Sequence, residues 1–174
     1  MGIPSLFVQR VLAYGVDCAL LFVVLAPLSG GGQWALGVGP TEPQAIYGTL
    51  LLTFSLPAWA YFAWGDRSRR GATWGKRWMG LCVRDGRGRR VRGGRAVGRT
   101  AVKMLPWELV HLSAFGLAPE VGVFGVVSWT GLGLAYVLIA AYLGAAGWTG
   151  GRRSVHDWAA GTQVGRAGRG AGRR

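Results

Sequence analysis

An all-α membrane protein, a small helical bundle of about four membrane segments, is what three features of the sequence predict. First, residues 6–28, 45–64 and 121–146 are long apolar runs that hold only two charged residues, Arg10 and Asp17. Each run has the roughly 20 residues that a helix needs to cross a bilayer. Second, the charge is segregated. Of the 20 Lys and Arg in a chain of net charge +13, thirteen fall within residues 65–103 and six after residue 147. Third, residues 29–44, between the first two runs, contain no Lys or Arg. Basic loops mark the cytoplasmic side of a membrane protein, so residues 65–103 and the C-terminus face inward and 29–44 outward.

The first run ends near Pro27 and is followed by a Gly- and Pro-rich loop. It has no basic stretch before it and carries Asp17, which predicts a retained span rather than a cleaved leader. Arg10 and Asp17 are seven residues apart, about two helical turns on nearly one face, with Tyr14 between them. A charge at mid-membrane costs roughly 2.5–3.5 kcal/mol, so Asp17 is expected against protein or a water-filled cavity. The second run contains Pro57, which is expected to kink it. Its closing aromatics, Trp59, Tyr61 and Trp64, fit an interfacial belt. In the basic loop, Leu81 and Val83 alternate with less apolar neighbours ahead of Asp85-Gly86, a strong turn pair, which predicts a small β-hairpin.

Arg95, Arg99 and Lys103 recur every four residues, as one basic stripe on a helix. Pro106 interrupts the stripe. The apolar stretch after it, residues 104–117, includes Glu108 and His111 and spans only about 21 Å as a helix. Placing both termini on the cytoplasmic side requires an even number of crossings. That makes this stretch a third segment, short or re-entrant. The final run carries small residues at spacings of four, Gly131/Ala135 and Ala140/Gly144.

Several function classes are disfavoured. Membrane orientation explains the basic charge, so nucleic acid is not an expected partner. Gly71 to Arg77 has three residues between its glycines, and Arg77 stands where a phosphate-binding loop needs Ser or Thr. Its Lys76 and Arg77, like Arg152 and Arg153, are expected to meet loops or anionic lipid headgroups. Two separated histidines and seven scattered acids offer no zinc ligand set, so no metal, cofactor or enzyme activity is predicted. Ser154 and Asp157 suit the start of a short helix. Cys18 and Cys82 lie in different environments and are read as free thiols.

Three separated patterns carry a family resemblance. They are Arg10-Val11-Leu12-Ala13-Tyr14-Gly15-Val16-Asp17, the segment from Gly71 to Val83, and Arg152-Arg153-Ser154-Val155-His156-Asp157 with the residues through Val164. In this order they resemble the RDD family of bacterial membrane proteins, with Arg95 and Arg99 in its intervening basic region. The resemblance covers residues 6–164 as one transmembrane domain and leaves residues 165–174 as a basic, disordered cytoplasmic tail. It implies that Arg10, Asp17 and Asp157 are the arginine and two aspartates of the family name, with Tyr14, Arg99 and His156 in support. It also implies a multi-pass protein of the bacterial cell membrane, for which transport and sodium/proton exchange have been suggested. Two functions stay open: transport of a small ion or solute with Asp17 in its path, or an accessory or scaffold role. In the latter the three charged residues form a structural ion-pair network, and the partners are other membrane proteins or a second copy.

Overall fold

The computed structural model describes residues 5–35, 37, 43–116 and 125–168. Two helices in it are long and apolar enough to cross a membrane: α1 (Leu6–Ala35) and the larger part of α6 (Gly125–Trp148). Only 11% of the most apolar stretch of each is buried. A core helix of a water-soluble protein would hide such a surface, so these faces suit lipid.

Between them lie α2 (Pro43–Leu50), a π-helical turn (Leu51–Ser55), α3 (Leu56–Arg67) and α5 (Gly93–Gly116). The α2–π–α3 run is continuous, and the π turn falls just before Pro57. Proline has no N–H to return to Thr53, so the expected kink takes the form of a widened turn. Phe62 and Ala58 of α3 and Met104 of α5 form a buried cluster, with Leu21 and Leu25 of α1 against it. The helices alternate in direction. The start of α1, the end of α3, the start of α5 and the end of α6 meet at one pole of the bundle.

That pole is covered by a polar layer: α4 (Trp74–Trp78), α7 (Val155–Ala160) and a two-stranded sheet of β1 (Leu81–Asp85) and β2 (Thr162–Arg166). A second core of Ala13, Leu81, Val83, Val91, Ala96 and Val164 fixes this layer to α1 and α5. Gly75 lets α4 lie against α1, since a Cβ there would stand 2.0 Å from the Ala13 carbonyl oxygen.

Several sequence expectations change. The hairpin is not local: β1 pairs antiparallel with β2, Val83 opposite Val164, and Asp85-Gly86 does not reverse it onto the next residues. Residues 86–90 have no apolar alternation, whereas Thr162 and Val164 present a buried face on either side of Gln163. Asp85 instead closes a turn, accepting the Arg87 and Arg89 amides at 2.9 and 2.8 Å. Helix α1 does not stop near Pro27 but continues through Gly30–Gly32 to Ala35. Helix α5 passes through Pro106 without a break, so the segment after it is not a separate short piece. At 24 residues, α5 is about 36 Å long. β2 takes in Gly165 and Arg166, which the sequence reading left in the tail. The rest of that tail from residue 169, with Leu117 and residues 121–124 of the expected spans, lies outside the described residues. Gly131 packs on α5, its Cβ position 2.5 Å from the Ser113 Oγ, while nothing among the described residues approaches Gly144 within 4 Å.

Candidate functional site

Two polar clusters lie at the pole where the four helical runs meet. The first is a chain of alternating charges. Arg10, one turn into α1, pairs with Asp157 of α7 and donates to the Gly151 carbonyl at 3.1 Å. Asp157 also accepts Arg99 Nε of α5 at 2.9 Å. Arg99 pairs in turn with Asp66 at the end of α3, which takes Lys76 Nζ of α4 at 2.5 Å. Five elements are thus joined by Arg10–Asp157–Arg99–Asp66–Lys76. Arg99 is 1% exposed, and Asp66 and Asp157 are fully buried.

The second cluster surrounds Asp17. Tyr61 donates to its Oδ1 at 2.6 Å, the Gly75 amide to the same oxygen at 2.7 Å, and Thr73 to Oδ2 at 2.5 Å. The Tyr61 hydroxyl itself accepts the Trp74 amide at 3.0 Å. All three groups around Asp17 therefore donate to its carboxylate. No ion pair to Asp17 occurs among the described residues.

Local structure explains the aim of these groups. Ser154 precedes α7, and its amide donates to Asp157 Oδ2 at 3.0 Å, which anchors the carboxylate at the start of the helix. Thr162 adds a bond to Oδ1 at 3.1 Å. Burial pushes the Asp157 carboxyl up, but Arg99 and Arg10 outweigh it and hold the group well below the ordinary carboxylate range. Burial lowers the Lys76 ammonium, with Asp66 opposing.

His156 lies 2.8 Å from Arg10 Nη2 through Nε2. Arginine can only donate, so Nε2 is the acceptor and the proton sits on Nδ1, which has no partner among the described residues. Burial, reinforced by Arg99, lowers the His156 pKa well below its ordinary value, although Asp157 opposes this. The folded state thus holds a neutral ring, while the unfolded chain protonates below about pH 6.5. Protonation favours the unfolded state, so stability falls as pH drops through that value, by up to about 1.4 kcal/mol per unit. Unfolding midpoints measured in detergent at pH 7.5 and 5.5 should drop for the wild type and drop less for His156→Gln.

The residues singled out in the sequence separate. Arg10, Arg99, His156 and Asp157 come together. Asp17 does not join them; neutral donors hold it. Tyr14 contributes a ring, 5.9 Å from Phe62 and 4.4 Å from Lys103 Nζ. Lys76 is not a headgroup contact, because it is buried against Asp66. Arg77 and Arg152 are exposed and Arg153 half-buried. With the Gly75 amide and the Lys76 ammonium both committed internally, the 71–77 segment has no phosphate cradle. Asp66, Tyr61 and Thr73 were missed. In the sequence Asp66 falls within the basic stretch 65–103, and Tyr61 fits the interfacial belt. The four-residue stripe already linked Arg99 to Lys103.

Apolar helices exposed along their length, closed at one pole by a buried charge network, define a helical membrane protein. The RDD family model matches residues 4–161, and the chain belongs to that family. No curated relative and no solved structure matches it.

Proposed function

We propose that this is a four-crossing protein of the bacterial cell membrane with both termini cytoplasmic, and that it serves as an accessory or scaffold protein rather than an enzyme. The observation that carries this reading is the five-residue charge chain. It fastens α1, α3, α4, α5 and α7 together with every carboxylate oxygen engaged, which suits a clasp better than a path. The α2–π–α3 run and α5 supply the second and third crossings. Removing one partner of such a buried pair costs far more than the pair itself contributes, so the clasp specifies one arrangement of helices.

Transport, with Asp17 binding a cation or proton, is the second reading. It is favoured by the absence of an ion-paired cation at this buried carboxylate among the described residues. Purified protein in vesicles decides between the two. The clasp predicts no cation-dependent proton flux above empty vesicles. Flux that disappears in Asp17→Asn would instead establish transport. Topology is tested separately by labelling single cysteines in a Cys18→Ser, Cys82→Ser background. Arg87→Cys should react from the cytoplasmic side and Trp34→Cys from the other, and labelling from one side would refute four crossings.

A further inference from the structure

A groove of about 400 Å³ opens between α1, α5, α6 and α7, and its two ends differ. Arg10, Lys103 and His156 line the end near the polar layer. Trp107 and Val110 lie four and seven residues beyond Lys103, so about 6 and 10 Å deeper along α5. Ile139 faces them, nine residues and about 14 Å before the end of α6 at Trp148. The walls are overwhelmingly apolar, and the size is that of a small-molecule site.

The polar end has donors to spare. Lys103 makes no hydrogen bond or ion pair among the described residues, and its ammonium rests 3.3 Å from the centre of the Phe62 ring and 4.4 Å from that of Tyr14. His156 Nδ1 is buried without an acceptor among the described residues. Arg10 has five N–H donors and three contacts. Of the four basic side chains clustered here, Arg10, Lys76 and Arg99 each pair with a carboxylate, and Lys103 has no carboxylate partner among the described residues. An anion at the groove would supply one.

We propose that the groove binds one anionic phospholipid from the cytoplasmic leaflet, its phosphate at Lys103, Arg10 and His156 and an acyl chain along Trp107, Val110 and Ile139. The depth assigned to each end rests on the proposed orientation. A soluble anion would gain nothing from the apolar wall. A zwitterionic lipid would bring its own cation to an end where Lys103 already lacks a carboxylate among the described residues.

Native mass spectrometry of delipidated protein in neutral detergent tests this, with dioleoyl phosphatidylglycerol, dioleoyl phosphatidylcholine and inorganic phosphate as separate probes. One phosphatidylglycerol should bind about five- to tenfold more tightly than phosphatidylcholine, at roughly 1 kcal/mol for Lys103, since Arg10 is already paired with Asp157. Lys103→Gln should remove most of that preference and leave phosphatidylcholine unchanged. Ile139→Trp, which fills the apolar end, should weaken both lipids. Equal binding of the two lipids, a preference that survives Lys103→Gln, lipid binding unweakened by Ile139→Trp, or phosphate binding as tight as phosphatidylglycerol would overturn the proposal. Should Lys103→Gln fail to fold, Ile139→Trp alone decides. The binding is read in detergent, so its failure is distinct from a failure of the topology, which the cysteine labelling reports.

Discussion

Asp157→Ala is expected to lower stability by about 3–5 kcal/mol, the largest effect of any single substitution outside the apolar core. The substitution strands two guanidinium groups at once. Among the described residues Arg10 keeps only the Gly151 carbonyl and His156, and Arg99, 1% exposed, keeps only Asp66. It also removes the acceptor for the Ser154 amide at the start of α7, and with it part of the hold on β2 through Thr162. Denaturant titration of purified protein in mild detergent measures the loss. Arg95→Ala, which alters an exposed cation one turn before Arg99 on α5, should stay within about 0.5 kcal/mol of wild type. The Asp157 contribution is fully present above the ordinary carboxylate range and is lost as the pH falls below it, because its pKa is depressed in the folded state.

Gly75→Ala is the second large effect. An added Cβ would sit 2.0 Å from the Ala13 carbonyl oxygen and 2.9 Å from Asp17 Oδ1. Neither is the far end of a flexible side chain, so α4 must back away from α1. The movement takes the Gly75 amide off Asp17, one of the two bonds, with that of Thr73, that tie the 71–77 segment to Asp17 of the first helix. Overpacking and the weakened charged hydrogen bond together should cost about 3 kcal/mol or more. Gly144→Ala is the matching control. Nothing among the described residues lies within 4 Å of that position, so helix propensity alone should leave it neutral or up to about 1 kcal/mol more stable. The comparison of unfolding midpoints separates close approach from any general response to a lost glycine.

The sequence made the membrane character and the charged residues visible because both depend on composition along the chain. A bilayer demands long apolar runs, and Arg10 and Asp17 stand out within one. What it hid was pairing between distant segments. Seven residues on one helix suggest that Arg10 and Asp17 share a face, yet α4 covers Asp17 and α7 meets Arg10, so each carboxylate is held by chain far away in sequence. The β1–β2 pairing joins segments about 80 residues apart, and no local pattern announces it. Prolines misled twice. Pro27 and Pro106 suggested ends, but both lie within continuous helices, where a lipid-like setting leaves intrahelical bonds as the backbone's best option. Lys76 misled in the opposite way. It sat among loop cations in the sequence, and only the fold brings the Asp66 carboxylate over it.

The clasp is tested most directly by a double-mutant cycle on Arg10 and Asp157, using Arg10→Ala, Asp157→Ala and the double variant in the same detergent unfolding assay. A coupling energy of about 1–3 kcal/mol is predicted for this pair, with a clearly smaller value for the parallel cycle on Arg10 and Asp17. Additive losses for Arg10 and Asp157, with the coupling found instead between Arg10 and Asp17, would contradict the arrangement of the charge chain.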